Sequence, residues 1–331
     1  MQVLVQPQYF DVTHTLEVIL PQVQTPCNIA NDVNEPLPFT PIRVYSEDSI
    51  NVIVGTLGEV LRVIDGEIHY PIVRPFPTSI TSGVIINGHW IATWVDHELQ
   101  IAKMASLCLT DEWNDGPKRS ILRKESQYSN SVEPTNCKWS QTLNSEPMAL
   151  SRSGNDFLFG ILGRGIYKMN SESEEIWRIP IPNKPGYNST KGPEKIISIF
   201  ENNNEIHIFF ENNWIAVVKA EDGSLIRSLK LNLSEKIQAV FEGNNEYFIS
   251  LKTGNIAILE NIYSEPQHYS TPGPVLAAKR DDKSWIWTGW RHDGKLANNI
   301  VKCANRTDIG VAFIGDRVLS NDGQISKYQI S

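Results

Sequence analysis

"SWIWTGWRHDGKLA", residues 284–297, places two strand-like runs around a short polar interruption. Trp285 and Trp287 stand two apart, so on a strand they share one side while Ile286 and Thr288 take the other. Asp293-Gly294 is a strong hairpin signal, because both residues tolerate the positive φ that tight turns need. The stretch therefore reads as strand, turn, strand, with Arg291 and His292 solvated at the tip.

The same figure recurs along the chain. It is found in "NVIVGTLGEVLRVI" (51–64), "HWIATWVDHELQIA" (89–102), "DFLFGILGRGIYKM" (156–169), "EIHIFFENNWIAVV" (205–218) and "EYFISLKTGNIAIL" (246–259). A last copy, "GVAFIGDRVLSNDGQIS" (310–326), has two possible turns, Gly315-Asp316 and Asp322-Gly323. Turns are expected at Gly58, Asp96, Gly163, Asn212-Asn213, Gly254 and Asp293-Gly294. Further strand-like runs precede some hairpins, as in "EKIISIF" (194–200), "EKIQAVF" (235–241) and "GPVLAAK" (273–279). Others follow, as in "EEIWRIPI" (174–181) and "SLIRSLKL" (224–231). This gives about four strands per unit. Second strands beginning at Val60, Leu99, Ile166, Ile215, Ile256 and Leu296 are separated by 39, 67, 49, 41 and 40 residues. Units of roughly 40–45 residues with four short strands are the mark of a propeller blade.

The chain thus resembles the β-propeller class, nearer to PQQ-like or divergent WD40-like repeats than to a strict family. "EEIWRI" and "DGSLIRSL" are similar to the outer segments of PQQ-like blades, whereas the Trp-Asp dipeptide of WD40 blades is missing. The resemblance implies an all-β fold in one domain spanning 1–331: seven four-stranded blades, with six or eight as alternatives. It carries no catalytic residue across. The last unit is short of a strand, and "MQVLVQP" (1–7), or else "TLEVIL" (15–20), is expected to close the ring by completing it.

Bulk properties bound the function. The chain has 331 residues, 40% hydrophobic and 21% charged, with a formal net charge of −8. That balance argues against nucleic-acid binding through overall charge. No apolar run reaches the length of a membrane span. The first Lys or Arg is Arg43, so the positive region of a secretory signal is lacking and a cytoplasmic protein is expected. Cys27, Cys108, Cys137 and Cys303 are scattered and form no CxxC pair; free, mostly buried thiols are expected.

Chemical motifs are absent where they would be sought. "GILGRG" (160–165) lacks the Lys-Ser/Thr of a phosphate loop, and "HELQI" (97–101) has Ile101 where a zinc helix needs its second histidine. His207 alternates with Ile206 and Ile208 and reads as a satisfied strand histidine. No cofactor, metal site or catalytic residue is assigned. The most unusual segment is an insertion at about 110–145, bracketed by Trp113 and Trp139 and carrying Lys118, Arg119, Arg123 and Lys124. Polar loops of this length in a domain are commonly functional.

The function expected is a non-catalytic interaction scaffold or recruitment subunit that meets another protein of a complex through its loop faces. Candidate contacts are Trp113, Lys118, Arg119, Arg123 and Lys124 in the insertion and Trp290, Arg291 and His292 at the opening tip. The alternative is an enzyme, or a small-ligand or carbohydrate binder, with its site at the mouth of the central channel. Three or more His, Asp, Glu or Arg side chains meeting there would favour it, and exposed Trp90, Trp113 or Trp290 would suit a carbohydrate.

Overall fold

The repeats owe their strands to β-branched and aromatic runs, and their turns to Asn, Asp and Gly. In the computed structural model, which describes residues 35–183 and 194–330, these segments form seven antiparallel sheets. Left-handed Asn, Asp or Gly residues sit at most of the tight turns, among them Asn87, Asn203, Asn244, Asp282 and Asn298.

The first blade is β1 (Pro41–Glu47), β2 (Ile50–Gly55), β3 (Val60–Ile64) and β4 (Glu67–Val73). The second is β5 (Ile80–Ile86), β6 (His89–Asp96), β7 (Ile101–Cys108) and β8 (Cys137–Leu143). The third holds β9 (Pro147–Ser153), β10 (Asp156–Ile161), β11 (Gly165–Asn170) and β12 (Glu175–Ile179). The fourth holds β13 (Ile196–Asn202), β14 (Glu205–Phe210), β15 (Trp214–Lys219) and β16 (Leu225–Lys230). The fifth is β17 (Ile237–Gly243), β18 (Glu246–Leu251), β19 (Asn255–Leu259) and β20 (Gln267–Ser270). The sixth is β21 (Val275–Asp281), β22 (Ser284–Gly289), β23 (His292–Ala297) and β24 (Ile300–Asn305). The seventh has three described strands, β25 (Gly310–Ile314), β26 (Arg317–Ser320) and β27 (Ile325–Lys327).

Strands follow one another in sheet order within every blade. The first strand of each blade packs beside the first strand of the next, and β25 returns to β1, so the ring is closed with seven blades. The insertion contributes no further blade; it holds two short 3-10 helices, Arg119–Arg123 and Asn130–Val132. The last sequence copy proves to be one strand out of phase. Gly315 turns β25 into β26, and Asp322-Gly323 is the true counterpart of the other hairpin turns.

Strand order fixes the two ends of the ring. The linkers between blades and the turns between second and third strands lie at one end, here the upper end. Turns between first and second, and between third and fourth, lie at the lower end. Every innermost strand carries a bulge near its upper end, for example between Ile80 and Ser82, Ile196 and Ser198, and Val275 and Ala277. Such a bulge adds local twist where the strand enters the ring.

Both candidate closing strands, 1–7 and 15–20, lie outside the described residues. The propeller occupies a compact unit, Val33–Ser331. Within it the N-terminal side meets the last blade at Leu37, whose N–H donates to the Gly323 carbonyl at 2.9 Å. Leu37 also packs in one cluster with Ile53, Leu61, Val63 and Leu319. Gly323 has φ +85° and a Cβ there would stand 2.6 Å from the Leu37 carbonyl oxygen, so a side chain is excluded twice over.

The core lies between blades, not within them. Each sheet is covered on both faces, which is why its strands are apolar on both sides. Phe248 of blade 5 meets Trp285 and Trp287 of blade 6, each at 5.5 Å between ring centroids. Trp139 of blade 2 stacks on Phe157 of blade 3 at 6.1 Å. Trp90, Trp94, Trp214, Trp285 and Trp287 are all fully buried. The thiols differ from expectation: Cys108, at the end of β7, and Cys137, at the start of the outermost strand β8, are half-buried, and Cys303 on the outermost strand β24 is exposed; these three are free, and Cys27 lies outside the described residues.

Candidate functional site

The opening stretch turns three residues earlier than its Asp-Gly signal predicts. β22 ends at Gly289, Trp290 and Arg291 make the turn with Arg291 at φ +57°, and β23 begins at His292. His292 and Asp293 are therefore not solvated; both are completely buried. Gly294 serves close approach and not a turn. The indole of Trp287 lies across it, 2.0 Å from where a Cβ would stand.

Burial of Asp293 demands compensation, and the next blade supplies it. Arg306, on the linker into blade 7, donates from Nη1 to Asp293 Oδ2 at 2.8 Å. The two side chains are 0% and 5% exposed. The Gln329 N–H donates to the same carboxylate oxygen at 2.9 Å. Arg306 Nη2 donates to Ser320 Oγ at 3.3 Å and Ser326 Oγ at 2.5 Å. Tyr328 adds a hydrogen bond to the Gly294 carbonyl, and its burial pushes the phenol well above its usual range. Blade 7 and the residues after it are thus fastened to blade 6 through one buried ion pair and the hydrogen bonds around it.

That seam opens upward into a crevice of about 240 Å³ lined by Asn305, Arg306, Asp308, Asp322, Gln324 and Gln329, among others. On the β22–β23 turn at the same end of blade 6 stands Trp290, 56% exposed. Its turn is held by three bonds: Trp290 N–H to the Pro274 carbonyl at 2.9 Å, Arg306 N–H to the Arg291 carbonyl at 2.9 Å, and His292 Nδ1 against the Trp290 carbonyl at 3.1 Å. Leu57, 68% exposed on the β2–β3 turn of blade 1, belongs to the same end. Leu276, on the bulge of β21, is also partly exposed there.

The insertion is a folded element. It leaves β7 beside the lower turn of β5–β6, with Leu109 N–H bonded to the Gly88 carbonyl at 2.9 Å. By Asp115 and Gly116 it has reached Arg74 at the upper end of blade 1, and Arg119 stands over the upper β6–β7 turn. It then returns to Cys137. Trp113 is buried, stacked on Trp90 at 5.4 Å, donating to the Cys108 carbonyl at 2.8 Å and covered by the Arg62 guanidinium at 4.5 Å. Leu122 and Val132 are buried in the same cluster. Lys103, itself buried, donates to the Gln127 carbonyl at 3.1 Å and stands 3.6 Å from Glu133.

The insertion's basic residues divide accordingly. Arg119 pairs with Asp96 and Glu98, and Arg123 with Glu98, each at 2.6 Å. The Arg119 guanidinium holds the Asp96 carboxyl below the usual carboxylate range. Lys118 and Lys124 are exposed. Of the eight contact candidates, Trp113 and His292 present no surface, Arg119 and Arg123 are engaged, and Lys118, Lys124, Trp290 and Arg291 face solvent. For the carbohydrate reading, Trp90 and Trp113 are likewise buried, leaving Trp290 exposed.

The lower mouth of the channel holds one ion pair between blades and one serine–carboxylate bond. Arg152 of β9 reaches Glu47 of β1, passing the inner strand of the blade between them, and Ser153 donates to Glu201. Away from the channel, His207 contacts Tyr247 Oη through Nδ1 and stands 3.3 Å from Glu205 through Nε2. Burial lowers its pKa despite Glu205. This is the satisfied strand histidine expected. Among the described residues no group of three His, Cys, Asp or Glu is arranged to hold a metal ion.

No family model matches the chain, and no curated protein matches it by sequence. Solved structures do. Over 88% of this chain and 94% of the other, it superposes on the WD40 β-propeller domain of Doa1 with a TM-score of 0.61 at 10% identity. BamB from Moraxella catarrhalis gives 0.55 at 13% identity, covering 86% of this chain and 83% of that one. YCF48 from Cyanidioschyzon merolae gives 0.56 at 13%, covering 88% and 97%. The protein is a divergent seven-bladed β-propeller resembling PQQ-like and WD40 propellers, and at this level of identity what it shares with these structures is the fold.

Proposed function

We propose that this chain is a non-catalytic interaction scaffold, or the recruitment subunit of a complex, binding another protein at the upper end of the ring across blades 6, 7 and 1. The observation that carries this reading is Trp290, a large aromatic left mostly in solvent on a turn whose backbone is fixed on both sides. A rigid, exposed aromatic loses little conformational freedom on binding, and such residues dominate interface energetics. Leu57 and Leu276 supply further apolar surface at that end.

The test is recovery of partners from the native cell with the intact protein and with Trp290→Ala. A stoichiometric partner held by the wild type is expected to be lost or weakened at least tenfold, as for an interface anchor. If Trp290→Ala and Leu57→Ser together leave every partner bound, the upper end is not the binding surface. The channel-mouth alternative has no comparable observation in its favour.

A further inference from the structure

The outermost strand of each four-stranded blade has one edge that pairs with no described residue. Bare edges invite pairing with another chain, and proteins guard them with proline, bulges or short strands. Most of the rim is guarded in this way. β4 contains Pro71, β20 has 4 residues, and a bulge breaks the register of β8, β12 and β16 with their neighbours. Among the described outer strands β24 alone has none of these devices. Its 6 residues, "IVKCAN", pair with β23 in unbroken register from Asn305 to Ile300.

The ladder also fixes which backbone groups of β24 face outward. In antiparallel pairing, successive residues turn their N–H and C=O groups alternately to the two sides of the strand. Arg306 N–H donates inward to the Arg291 carbonyl at 2.9 Å, so Ala304, Lys302 and Ile300 also address β23. Val301, Cys303 and Asn305 therefore turn theirs to the bare edge. Side chains along it are mostly uncharged: Ile300 is 62% exposed, Cys303 is exposed, and Lys302 carries the strand's one charge.

We propose that β24 pairs with the β24 of a second copy of this chain, antiparallel about a two-fold axis at Cys303. The occupant follows from the symmetry of the strand. Two outward-facing residues set opposite each other exchange both N–H···O bonds, and a two-fold contact uses the same patch on both copies. Of the three outward residues Cys303 is central and gives the longest overlap. Val301 then faces Asn305 of the second copy, Lys302 faces its Ala304, and exposed Ile300 is covered by the end of the opposite strand. Like charges do not oppose each other in this register, whereas an axis at Lys302 would set two ammonium groups side by side. This contact lies on the outer rim and does not depend on the upper-end surface.

The experiment is sedimentation velocity on the full chain from ~1 to ~100 μM, the span in which a modest interface is populated. Wild type, Cys303→Lys, Cys303→Glu and an equimolar mixture of the two variants are compared. Position 303 is exposed, and an unfolding midpoint equal to that of the wild type shows that each variant is folded. The wild type is expected to pass reversibly from monomer to dimer. Each variant meets its own charge on the axis and associates at least tenfold more weakly, while the mixture regains the dimer because lysine then faces glutamate. A wild type that stays monomeric, variants that dimerise equally well, or a mixture no stronger than its components overturns the proposal. Trp290→Ala is expected to dimerise as the wild type does; loss of the dimer there would place the contact at the upper end and overturn the proposal too. A monomeric wild type that loses a native partner on Cys303→Lys would give the edge to a partner's strand and not to a second copy.

Discussion

Two arginine–aspartate pairs, one on blade 2 and one between blades 6 and 7, begin from similar sequence and end in opposite environments. Asp96 closes "WVD" and meets Arg119 from the insertion; Asp293 lies in "RHDG" and meets Arg306 from a linker. In the first pair the guanidinium is 46% exposed, in the second 5%. A half-exposed arginine keeps water around its charge, so the pair's net worth is small. With both partners dehydrated, each is the other's only counter-charge, and removing one leaves an uncompensated buried charge. The first pair pins a loop to a blade; the second joins the ring's last two blades.

The sharpest way to break this comparison is Asp293→Ala. It is expected to cost about 3–5 kcal/mol by denaturant unfolding, with much of the loss recovered in Asp293→Leu/Arg306→Met. Recovery distinguishes a stranded charge from lost packing; no recovery would mean that the pair itself is indispensable. Next comes Gly294→Ala, which drives a methyl into the Trp287 ring and is expected to cost about 1–3 kcal/mol. Gly88→Ala is the control on a turn with open space around it, where only the φ of +73° resists, at about 1 kcal/mol.

Smaller again is Arg119→Met, and its effect carries a pH signature. The carboxyl of Asp96 is lowered in the folded protein by Arg119, so the pair stabilises above the unfolded value near ~3.9 and fades as pH falls through the lowered folded value. The gap between wild type and variant, read from midpoints between pH 2 and 7, is expected to be constant above pH ~5 and to close in acid. A gap that widens in acid would refute the assignment. Smallest of all is Lys118→Glu/Lys124→Glu, expected to leave the midpoint unchanged because neither exposed side chain has a partner among the described residues. It is also the right probe of the insertion as a contact surface. Deleting 114–136 would remove buried Leu122 and Val132 together with the Arg119 bridge, and so confound binding with folding.

Much of the architecture was legible in the chain. Seven hairpin repeats, most of them about 40–50 residues apart, pointed to seven blades, and the runs at 194–200, 235–241, 273–279, 174–181 and 224–231 all contain strands. Local signals succeeded there because turn chemistry and strand period agree. They failed where a glycine had another purpose. The Gly-Trp-Arg that ends β22 holds the real turn, while Gly294 makes room for an indole. They failed again for the insertion's charges, because Asp96 and Glu98 are 23 and 21 residues from Arg119 and nothing in the run announces them.

The sequence alone determined period and strand content and favoured seven blades over six or eight, since these follow from interactions between neighbours along the chain. Only the tertiary structure decided which charges are buried, which tryptophan is left in solvent and which end of the ring offers a surface. Those depend on what the adjacent blade places opposite a residue, and partners brought together by ring closure leave no trace in local spacing.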